Sequence, residues 1–428
     1  NDKYETPRPT RTAPTQLFLL SRSTNEAYIE NQKMSRYDLW SQLGIAPDSE
    51  DWSDLYKQLT CYGPQTRLWP KDTQNFDGSI PIEVQEETFW VRQQWYRRGR
   101  TWTPEDELVR QGIWEDTRKE CKVIACNVVY VANPGVNPSG AHDTTPSNGD
   151  DNYLITAYTF WDVAQDYAPL EYQGLPGLAL ILKTLVMKDY GDDDVPAGPP
   201  DWSWMTMQRM HDSILKNFEM VITNADKTSK FDKDFYTIEE VIFLKRRFTN
   251  QGKNCPLAAE TIDEMINWCK PGLVGIEEAT SQVCENACRE WYQHGKETFT
   301  LKKAAINKRL HEAGCRPVLL TYEYLEAQHS AAITWSSRVN QTRILQNFGI
   351  TDIEDTPPAL AQSQHTAVSL IDYSFSPHCS ELSSDDEELY YLSGFSDSEC
   401  EKIRNMNLES SLNKIDLHRP IVTLTMLA

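Results

Sequence analysis

The chain has 428 residues, 39% of them hydrophobic, with 13 Trp and 19 Tyr, and it carries a net charge of -21. This length suggests two or three domains, and the hydrophobic content excludes a generally disordered chain. The acidic balance favours solubility and by itself argues against a nucleic-acid partner, although phosphate binding depends on where basic residues cluster rather than on their sum.

The first 100 residues contain a basic segment, two spaced aspartates and a helix. Residues 1–20, NDKYETPRPTRTAPTQLFLL, are basic and punctuated by Pro, and their apolar end favours a strand. Asp72 and Asp77 follow in the loop KDTQNFDGSIP, where we expect Asp72 to end a strand. Residues 81–98 open on Pro and carry apolar side chains at helical spacing, which predicts a helix.

Two copies of the triplet Gly-Asp-Asp lie in the middle of the chain. Residues 123–132, VIACNVVYVA, favour a strand, and the first GDD triplet, Gly149–Asp151, then leads into a predicted helix at 149–163. Carboxylates early in a helix favour the positive end of its dipole, so a structural role explains the first triplet. The second GDD triplet, Gly191–Asp193, follows the apolar run LALILKTLVM, for which we expect a buried strand.

The second triplet has the features of a metal-binding turn. Gly191 permits a tight hairpin turn that projects Asp192 and Asp193 from a rigid base. A two-metal phosphoryl-transfer site needs carboxylates from separate elements, because two cations about 4 Å apart must be neutralised from more than one direction. Asp72 and Asp77 are the candidate partners, although two solvated loop aspartates would explain that motif equally well if it stood alone.

The carboxyl-terminal third changes character along its length. Residues 256–313 have helical periodicity interrupted by Pro and Gly, which predicts a helical subdomain. Residues 331–428 lose this periodicity and are acidic, with SSDDEEL near their centre, so we expect a flexible tail or linker.

The cysteines and apolar runs bear on compartment and zinc binding. Ten Cys are scattered without a repeating pair pattern, and we find neither a signal peptide nor an apolar run of about 18 residues. These features indicate a reducing, cytosolic setting without a membrane segment. Cys284 and Cys288 lie at i,i+4 spacing on a predicted helix, but no second pair at metal spacing accompanies them, so we do not expect a structural zinc.

Five motifs in fixed order resemble motifs A to E of RNA-dependent RNA polymerases from picornavirus-like positive-strand RNA viruses. They are Asp-x4-Asp at 72–77, Ser-Gly-x3-Thr-x3-Asn at 139–148, Tyr-Gly-Asp-Asp at 190–193, Ala-Asp-Lys at 225–227 and FLKRRF at 243–248. The similarity covers roughly residues 3–330 and is shared with picornavirus-like, calicivirus-like and astrovirus-like members. It implies an α+β right-hand polymerase fold with a palm of antiparallel sheet and helices, partial fingers and a helical thumb.

The resemblance implies a role for each motif residue. Asp72, Asp192 and Asp193 would hold two Mg²⁺ ions, or Mn²⁺ in their place, and Lys227 would donate a proton to the leaving pyrophosphate. The nucleotide-binding residues would be Asp77, Ser139, Gly140, Thr144 and Asn148, with the ribose 2′-hydroxyl bound by Asp77, Thr144 and Asn148.

Basic residues at two places would contact phosphates. The segment KYETPRPTR resembles the basic finger motif that grips the incoming triphosphate, and its candidates are Lys3, Arg8 and Arg11. Lys245 and Arg246 would hold the backbone of the primer. Such a contact requires positive charge on the protein but does not recognise the base sequence.

The same resemblance sets the expected domains and partners. It assigns 1–50 to partial fingers, 51–250 to the palm with inserted fingers elements, 251–330 to the thumb and 331–428 to the tail, with the amino-terminal part of the fingers absent from the chain. The expected partners are template and primer RNA, nucleoside triphosphates and other viral replication proteins, without DNA. The expected setting is the host cytoplasm, in membrane-associated replication complexes.

Two alternatives to an RNA polymerase remain open. A reverse transcriptase shares the palm carboxylates but commonly places a bulky aromatic residue near the 2′-position, where Asp77 and Asn148 are polar here. A non-catalytic replication or interaction protein could keep a polymerase fold and bind partners through its tail. The intact carboxylates at 72, 192 and 193 weigh against that reading.

Overall fold

A computed structural model describes residues 15–47, 49–99, 102–119, 122–125, 128–131, 134–138, 140–223, 231–267 and 275–331. Helices and short antiparallel strands are mixed along these residues, which confirms the predicted α+β class. Within these ranges no helix combines the length and apolar character that crossing a bilayer requires.

The described residues up to Trp114 form five α-helices. They are α1 (Thr15–Met34), α2 (Asp51–Leu59), α3 (Phe76–Ser79), α4 (Ile82–Arg97) and α5 (Pro104–Trp114). Helix α4 confirms the helix predicted at 81–98, and Pro81 immediately precedes its first residue. In α5 the hydroxyl of Thr103 accepts a hydrogen bond from the Asp106 backbone N–H, as expected of a capping residue.

The strand predicted at the apolar end of residues 1–20 is wrong, because this segment begins α1. Residues 15–34 contain neither Pro nor Gly, and their buried side chains recur at the spacing of one helical face. Those side chains are Ser21, Asn25, Tyr28, Ile29 and Gln32. A short apolar run does not distinguish a strand from one turn of a helix.

Nine short strands form one three-stranded sheet and three two-stranded ladders within the described ranges. The strands are β1 (Arg67–Leu68), β2 (Asp72–Thr73), β3 (Lys122–Ala125), β4 (Val128–Val131), β5 (Val186–Tyr190), β6 (Asp193–Gly198), β7 (Ile222–Thr223), β8 (Ile242–Phe243) and β9 (Arg246–Arg247). The three-stranded sheet has the order β1-β6-β5, and β2 pairs with β7, β3 with β4, and β8 with β9, all antiparallel.

Three strand predictions need correction. The single strand expected at 123–132 is a hairpin of β3 and β4. Asp72 begins β2, whereas the strand beside the second triplet, β1, ends at Leu68. Most of LALILKTLVM lies in a helix that ends at Thr184, and only its last two residues enter β5.

Six further α-helices lie between residues 144 and 312. They are α6 (Thr144–Tyr167), α7 (Gly174–Thr184), α8 (Met207–Phe218), α9 (Ala259–Met265), α10 (Ile276–Tyr292) and α11 (Lys296–Glu312), and residues 322–331 form one more helix. Helix α6 contains the predicted helix 149–163 and extends it at both ends. Pro146 is its third residue, where a missing N–H removes no intrahelical bond. The last three named helices confirm the helical pattern predicted from residue 256 to 313.

The buried apolar side chains form three clusters. One lies around α6 and is built on the aromatic rings of Trp69, Phe160 and Trp202. A second packs α2 against the hairpin of β8 and β9. A third joins α9, α10 and α11 around Trp291, so residues 257–325 have a core of their own. The prediction of a tail falls on residues 332–428, which lie outside the described residues.

Helix α6 is the element that organises the centre of the fold. It packs against α4, α7, α8 and β5, and both its amino-terminal turns and its middle are buried. Because α6 lies against β5, its first turns come directly behind the hairpin of β5 and β6.

Candidate active site

The second GDD triplet forms the turn of the hairpin of β5 and β6, as predicted. Tyr190 pairs with Asp193, which leaves Gly191 and Asp192 as a two-residue turn. Gly191 has a φ of +71°, a conformation that side chains with a Cβ rarely adopt. The turn presents Asp192 to solvent, and Asp193 is half-buried.

Helix α6 holds this turn through one amide. The Asn152 Nδ2 atom donates to the backbone oxygens of Gly191, at 3.3 Å, and Asp192, at 3.2 Å. The Oδ1 atom of Asn152 accepts from Lys71 Nζ at 2.5 Å. Asn152 is completely buried, so the turn is fixed by a side chain that is itself held in place.

The strand register brings Asp72 to this hairpin. Leu68 pairs with Ala197, and Lys71 forms a bridge with Asp194 in the same antiparallel register. Continued by one residue, this register would set Asp72 opposite Asp193. Directly opposed residues have Cβ atoms about 4.5–5.5 Å apart and point to the same face. On this register half-buried Asp72 would share a face with Asp193 of the second triplet.

The residues at this face fit a hard divalent cation. Asp72, Asp192 and Asp193 offer only carboxylate oxygens, the donors preferred by Mg²⁺ and Mn²⁺. No group of three acidic, His or Cys side chains converges on a ready-made metal cage within the described part of the chain. Mg²⁺ is commonly bound through one or two carboxylates with waters and substrate phosphates, so such a cage is not required.

Asp194 faces away from this site. Successive side chains of a strand point to opposite faces, and the Asp194 carboxylate lies 3.0 Å from Lys71 Nζ. Thr156 Oγ1 donates to it at 3.2 Å. Burial raises the pKa of Asp194, and Lys71 acts in the opposite direction. The third carboxylate after Gly191 therefore anchors the sheet to α6.

The first GDD triplet is buried behind the hairpin. A Cβ at Gly149 would lie 2.7 Å from Asp189 Oδ1, so the glycine allows α6 to approach β5 closely. Asp189 is fully buried, and neither of its carboxyl oxygens has a hydrogen-bond partner among the described residues. Burial, together with Asp150 and Asp194, raises its pKa well above the ordinary value, which favours a protonated carboxyl group.

The prediction that Asp150 and Asp151 serve as helix-start charges is wrong. Both lie beyond the first turn of α6, with only 5% and 1% of their surface exposed. Arg92 Nη2 lies 3.2 Å from Asp150 Oδ2, and Gln32 Nε2 donates to Asp150 Oδ1 at 2.7 Å. Thr88 donates to Asp151, whose pKa burial raises to about 7. These carboxylates join α1, α4 and α6 through a buried polar cluster.

The predicted ribose-binding residues meet at the start of α6. Asn148 Nδ2 donates to Asp77 Oδ1 at 2.6 Å, so the structure brings together two of the three side chains predicted to bind the 2′-hydroxyl. The Thr144 hydroxyl donates to the backbone oxygens of Pro138, at 2.7 Å, and Ala141, at 2.9 Å, so it fixes the preceding loop. Gly140 belongs to this loop, and Ser139 lies outside the described residues.

Two of the six basic residues predicted for the site lie within the described residues. Lys3, Arg8, Arg11 and Lys227 lie outside the described residues. Lys245 is exposed at the turn between β8 and β9, with a φ of +61°. Arg246 donates two hydrogen bonds to the Glu290 carboxylate of α10 in a bidentate ion pair, with nitrogen-to-oxygen distances of 2.9 and 2.8 Å. This ion pair joins the hairpin to the third cluster, and the predicted contact of Arg246 with RNA stays a prediction.

Three residues of the site were missed by the sequence interpretation. Lys71 and Asn152 support the hairpin turn, and Asn137 donates to Asn148 Oδ1 at 2.5 Å. Each is a polar side chain, and each stands within four residues of a motif. That combination was the available signal.

The Cys284–Cys288 pair is buried in α10, and burial raises the pKa of Cys288 to about 12, which does not favour a zinc-binding thiolate.

Comparisons with known proteins identify the family of this chain. The profile of the family described as viral RNA-dependent RNA polymerase matches residues 18–311. The replicase polyprotein of acute bee paralysis virus (strain Rothamsted) is 28% identical over 277 residues, which cover 63% of this chain and 14% of that protein. The genome polyprotein of rice tungro spherical virus (strain A) is 24% identical over 320 residues, which cover 71% of this chain and 9% of that protein.

A solved structure shares the fold. The sicinivirus 3Dpol RNA-dependent RNA polymerase superposes with a TM-score of 0.61 and 19% identity, covering 76% of this chain and 62% of that one. The fold is therefore that of a right-hand polymerase, as predicted. The chain spans only a small part of the polyproteins that it matches.

Proposed function

The chain belongs to the viral RNA-dependent RNA polymerase family, and from this membership we propose that it adds ribonucleotides to the 3′-hydroxyl of an RNA strand on an RNA template. The observation that supports the proposal is the bridge between Lys71 and Asp194, because the next residue on this register, Asp72, would lie beside the turn of the second GDD triplet. Carboxylates from two separate elements are what two-metal nucleotidyl transfer requires.

In this proposal the three carboxylates of the exposed face bind the metal ions. Asp72 and Asp192 would hold two Mg²⁺ ions, with Asp193 in support. Bound there, the ions would activate the 3′-hydroxyl and neutralise the triphosphate. Asn152 and Lys71 would hold the turn rigid, so that the carboxylates do not reorganise during the reaction. Lys227 would act as the general acid toward pyrophosphate.

The sugar-binding part of the proposal depends on Asp77 and Asn148. Their side chains are hydrogen-bonded to each other at the start of α6, and both are polar. A site built to hydrogen-bond a substrate hydroxyl rejects the analogue that lacks it, because its own polar groups are then left unpaired. This polar pair favours an RNA polymerase over a reverse transcriptase.

The partners follow from the proposed reaction. They are template and primer RNA, nucleoside triphosphates and other products of the replicase polyprotein. We propose that the reaction takes place in replication complexes on membranes of the host cytoplasm.

Primer extension by the full-length polymerase on an RNA template tests the proposal. With Mg²⁺ and ribonucleoside triphosphates we expect template-directed extension, and with deoxyribonucleoside triphosphates we expect extension at least about 100-fold less efficient. Efficient use of deoxyribonucleotides would instead support a reverse transcriptase. Absence of any incorporation by a folded, full-length protein would support the non-catalytic alternative.

A further inference from the structure

We propose that Asn137 is a positioning residue that fixes the orientation of the Asn148 amide and thereby strengthens the choice of ribose over deoxyribose. This inference rests on the proposed function, since it assumes that Asn148 reads the sugar. It adds a residue two positions before the Ser-Gly of the second motif, to which no role was assigned from the sequence.

Three side chains form a directional chain of hydrogen bonds. Asn148 Nδ2 donates to Asp77 Oδ1 at 2.6 Å, and Asn137 Nδ2 donates to Asn148 Oδ1 at 2.5 Å. A carboxylate accepts hydrogen bonds, whereas an amide has one accepting and one donating end. Asp77 therefore turns the NH₂ of Asn148 toward itself, and the oxygen of Asn148 points to the donor that Asn137 supplies.

Asn137 is itself held in place. Its backbone N–H donates to the Asp77 backbone oxygen at 2.7 Å, and only 2% of its surface is exposed. The following Pro138 restricts residue 137 to extended conformations, and the Pro138 oxygen accepts from the Thr144 hydroxyl at 2.7 Å. The backbone of Asn137 is thus fixed from the Asp77 side and from the start of α6, while its side-chain oxygen is buried without a hydrogen-bond partner among the described residues.

The contact with Asn137 distinguishes the two orientations of the Asn148 amide. Rotating that amide by half a turn would set its oxygen against Asp77 and its NH₂ against the NH₂ of Asn137. Asn148 is only 4% exposed, so water does not readily supply replacement partners. Without Asn137, only Asp77 would fix the orientation, and the donors presented to the ribose would be less well defined.

Two substitutions at residue 137 separate orientation from packing. Asn137→Leu has a similar volume and removes the hydrogen bond. Asn137→Asp keeps the shape but supplies a carboxylate, which accepts and would draw the Asn148 NH₂ away from Asp77. We expect the ribose-to-deoxyribose ratio of kcat/KM to fall about 3-fold in the first variant and about 10-fold or more in the second.

The experiment measures single-nucleotide incorporation with matched ribo- and deoxyribonucleoside triphosphates in the full-length polymerase. Asn25→Leu is the matched control, because Asn25 is a buried amide of α1 whose Nδ2 atom donates to Ser21 Oγ at 3.4 Å. We expect an unchanged ratio in that control. In an Asn148→Ala background, Asn137→Leu should cause no further fall in the ratio, because the amide that it orients is gone.

The outcomes separate this inference from the proposed function. If Asn148→Ala itself leaves the ratio unchanged, the proposed sugar reading fails and the role of Asn137 fails with it. If Asn148→Ala lowers the ratio but both variants at 137 preserve it, the inference alone is overturned. Equal losses for both sugars in the 137 variants would mean that Asn137 acts only on the fold, and would also overturn the inference. A further fall of the ratio in the double variant would mean that Asn137 acts other than through the Asn148 amide, and would overturn it as well.

Discussion

Arg92 provides the sharpest test of the buried polar cluster that contains the first GDD triplet. Its guanidinium lies 2.9 Å from Asp143 and 3.2 Å from Asp150, and its side chain is only 5% exposed. Burial lowers the pKa of Arg92, but these two carboxylates outweigh burial and raise it above its ordinary value. Arg92→Met keeps much of the side-chain volume and leaves both carboxylates without this cation.

The expected loss of stability is large because the stranded charges are buried. Removing one partner of a buried ion pair costs about 3–5 kcal/mol. A helix-start charge, the role expected for Asp150 from the sequence, would contribute only about 0.3–1 kcal/mol. Arg118 lies 3.5 Å from Asp143 and can compensate part of the change, so we expect about 3 kcal/mol for Arg92→Met.

Urea unfolding of the full-length polymerase, followed by tryptophan fluorescence, measures this loss. Arg97→Met is the matched control, because Arg97 lies on the same helix and pairs with Glu107 while 46% of its side chain is exposed. We expect that control to change the free energy of unfolding by less than about 1 kcal/mol. Equal losses in the two variants would refute the argument that the cluster is buried and ionic.

The pH dependence of the same variant gives a second signature. Burial raises the pKa of Asp143, but Arg118 and Arg92 outweigh it and lower that pKa to about 2. Its stabilising contribution is therefore present above its ordinary pKa of 3.8 and is lost as the pH falls through about 2. In Arg92→Met the stranded carboxyl groups can protonate instead, so the deficit against wild type should shrink as the pH falls toward about 4.

Two further predictions concern Asp151 and Arg246. The folded-state pKa of Asp151 is raised to about 7, so its stabilisation is complete below 3.8 and is lost as the pH rises through about 7. Relative to Asp151→Asn, the free energy of unfolding of the wild type should therefore fall by on the order of 3 kcal/mol between about pH 4 and about pH 8. The same dependence of that free energy on pH in both proteins would contradict this. Arg246→Met removes the pair with Glu290 and should cost about 1–2 kcal/mol and speed hydrogen exchange in α10. The exposed neighbour Arg247→Met should do neither, and equal effects would argue against a specific contact.

The sequence located the parts of the site that are local in the chain. We expected the turn at Gly191 and Asp192 and the start of α4 after Pro81, and both are present. The contact between Asp77 and Asn148, which are distant in the chain, was also expected and is present. Turn residues and motif spacing encode such features within a few positions, and the family resemblance supplied the contacts between motifs.

The sequence did not reveal features that depend on distant partners. The burial of Asp150 requires Tyr28 and Gln32 from α1 and Arg92 from α4, none of which is near it in sequence. A carboxylate near the start of a helix looks the same whether it faces solvent or a buried guanidinium. The strand expected in LALILKTLVM failed for a related reason, because a continuous apolar run fits a buried helix as well as a buried strand.

The central claim is that the second GDD triplet, and not the first, carries the metal chemistry. Mg²⁺-dependent single-nucleotide incorporation by Asp192→Asn in the full-length polymerase tests it most directly, with the exposed Asp166→Asn of α6 as control. Loss of this proposed metal ligand should lower the rate about 1000-fold or more, while the unfolding temperature is preserved because Asp192 is exposed at a turn. A rate within about tenfold of wild type would correspond to a loss of only about 1.4 kcal/mol in activation free energy. Because removal of a metal ligand should cost several kcal/mol, that result would contradict the assignment.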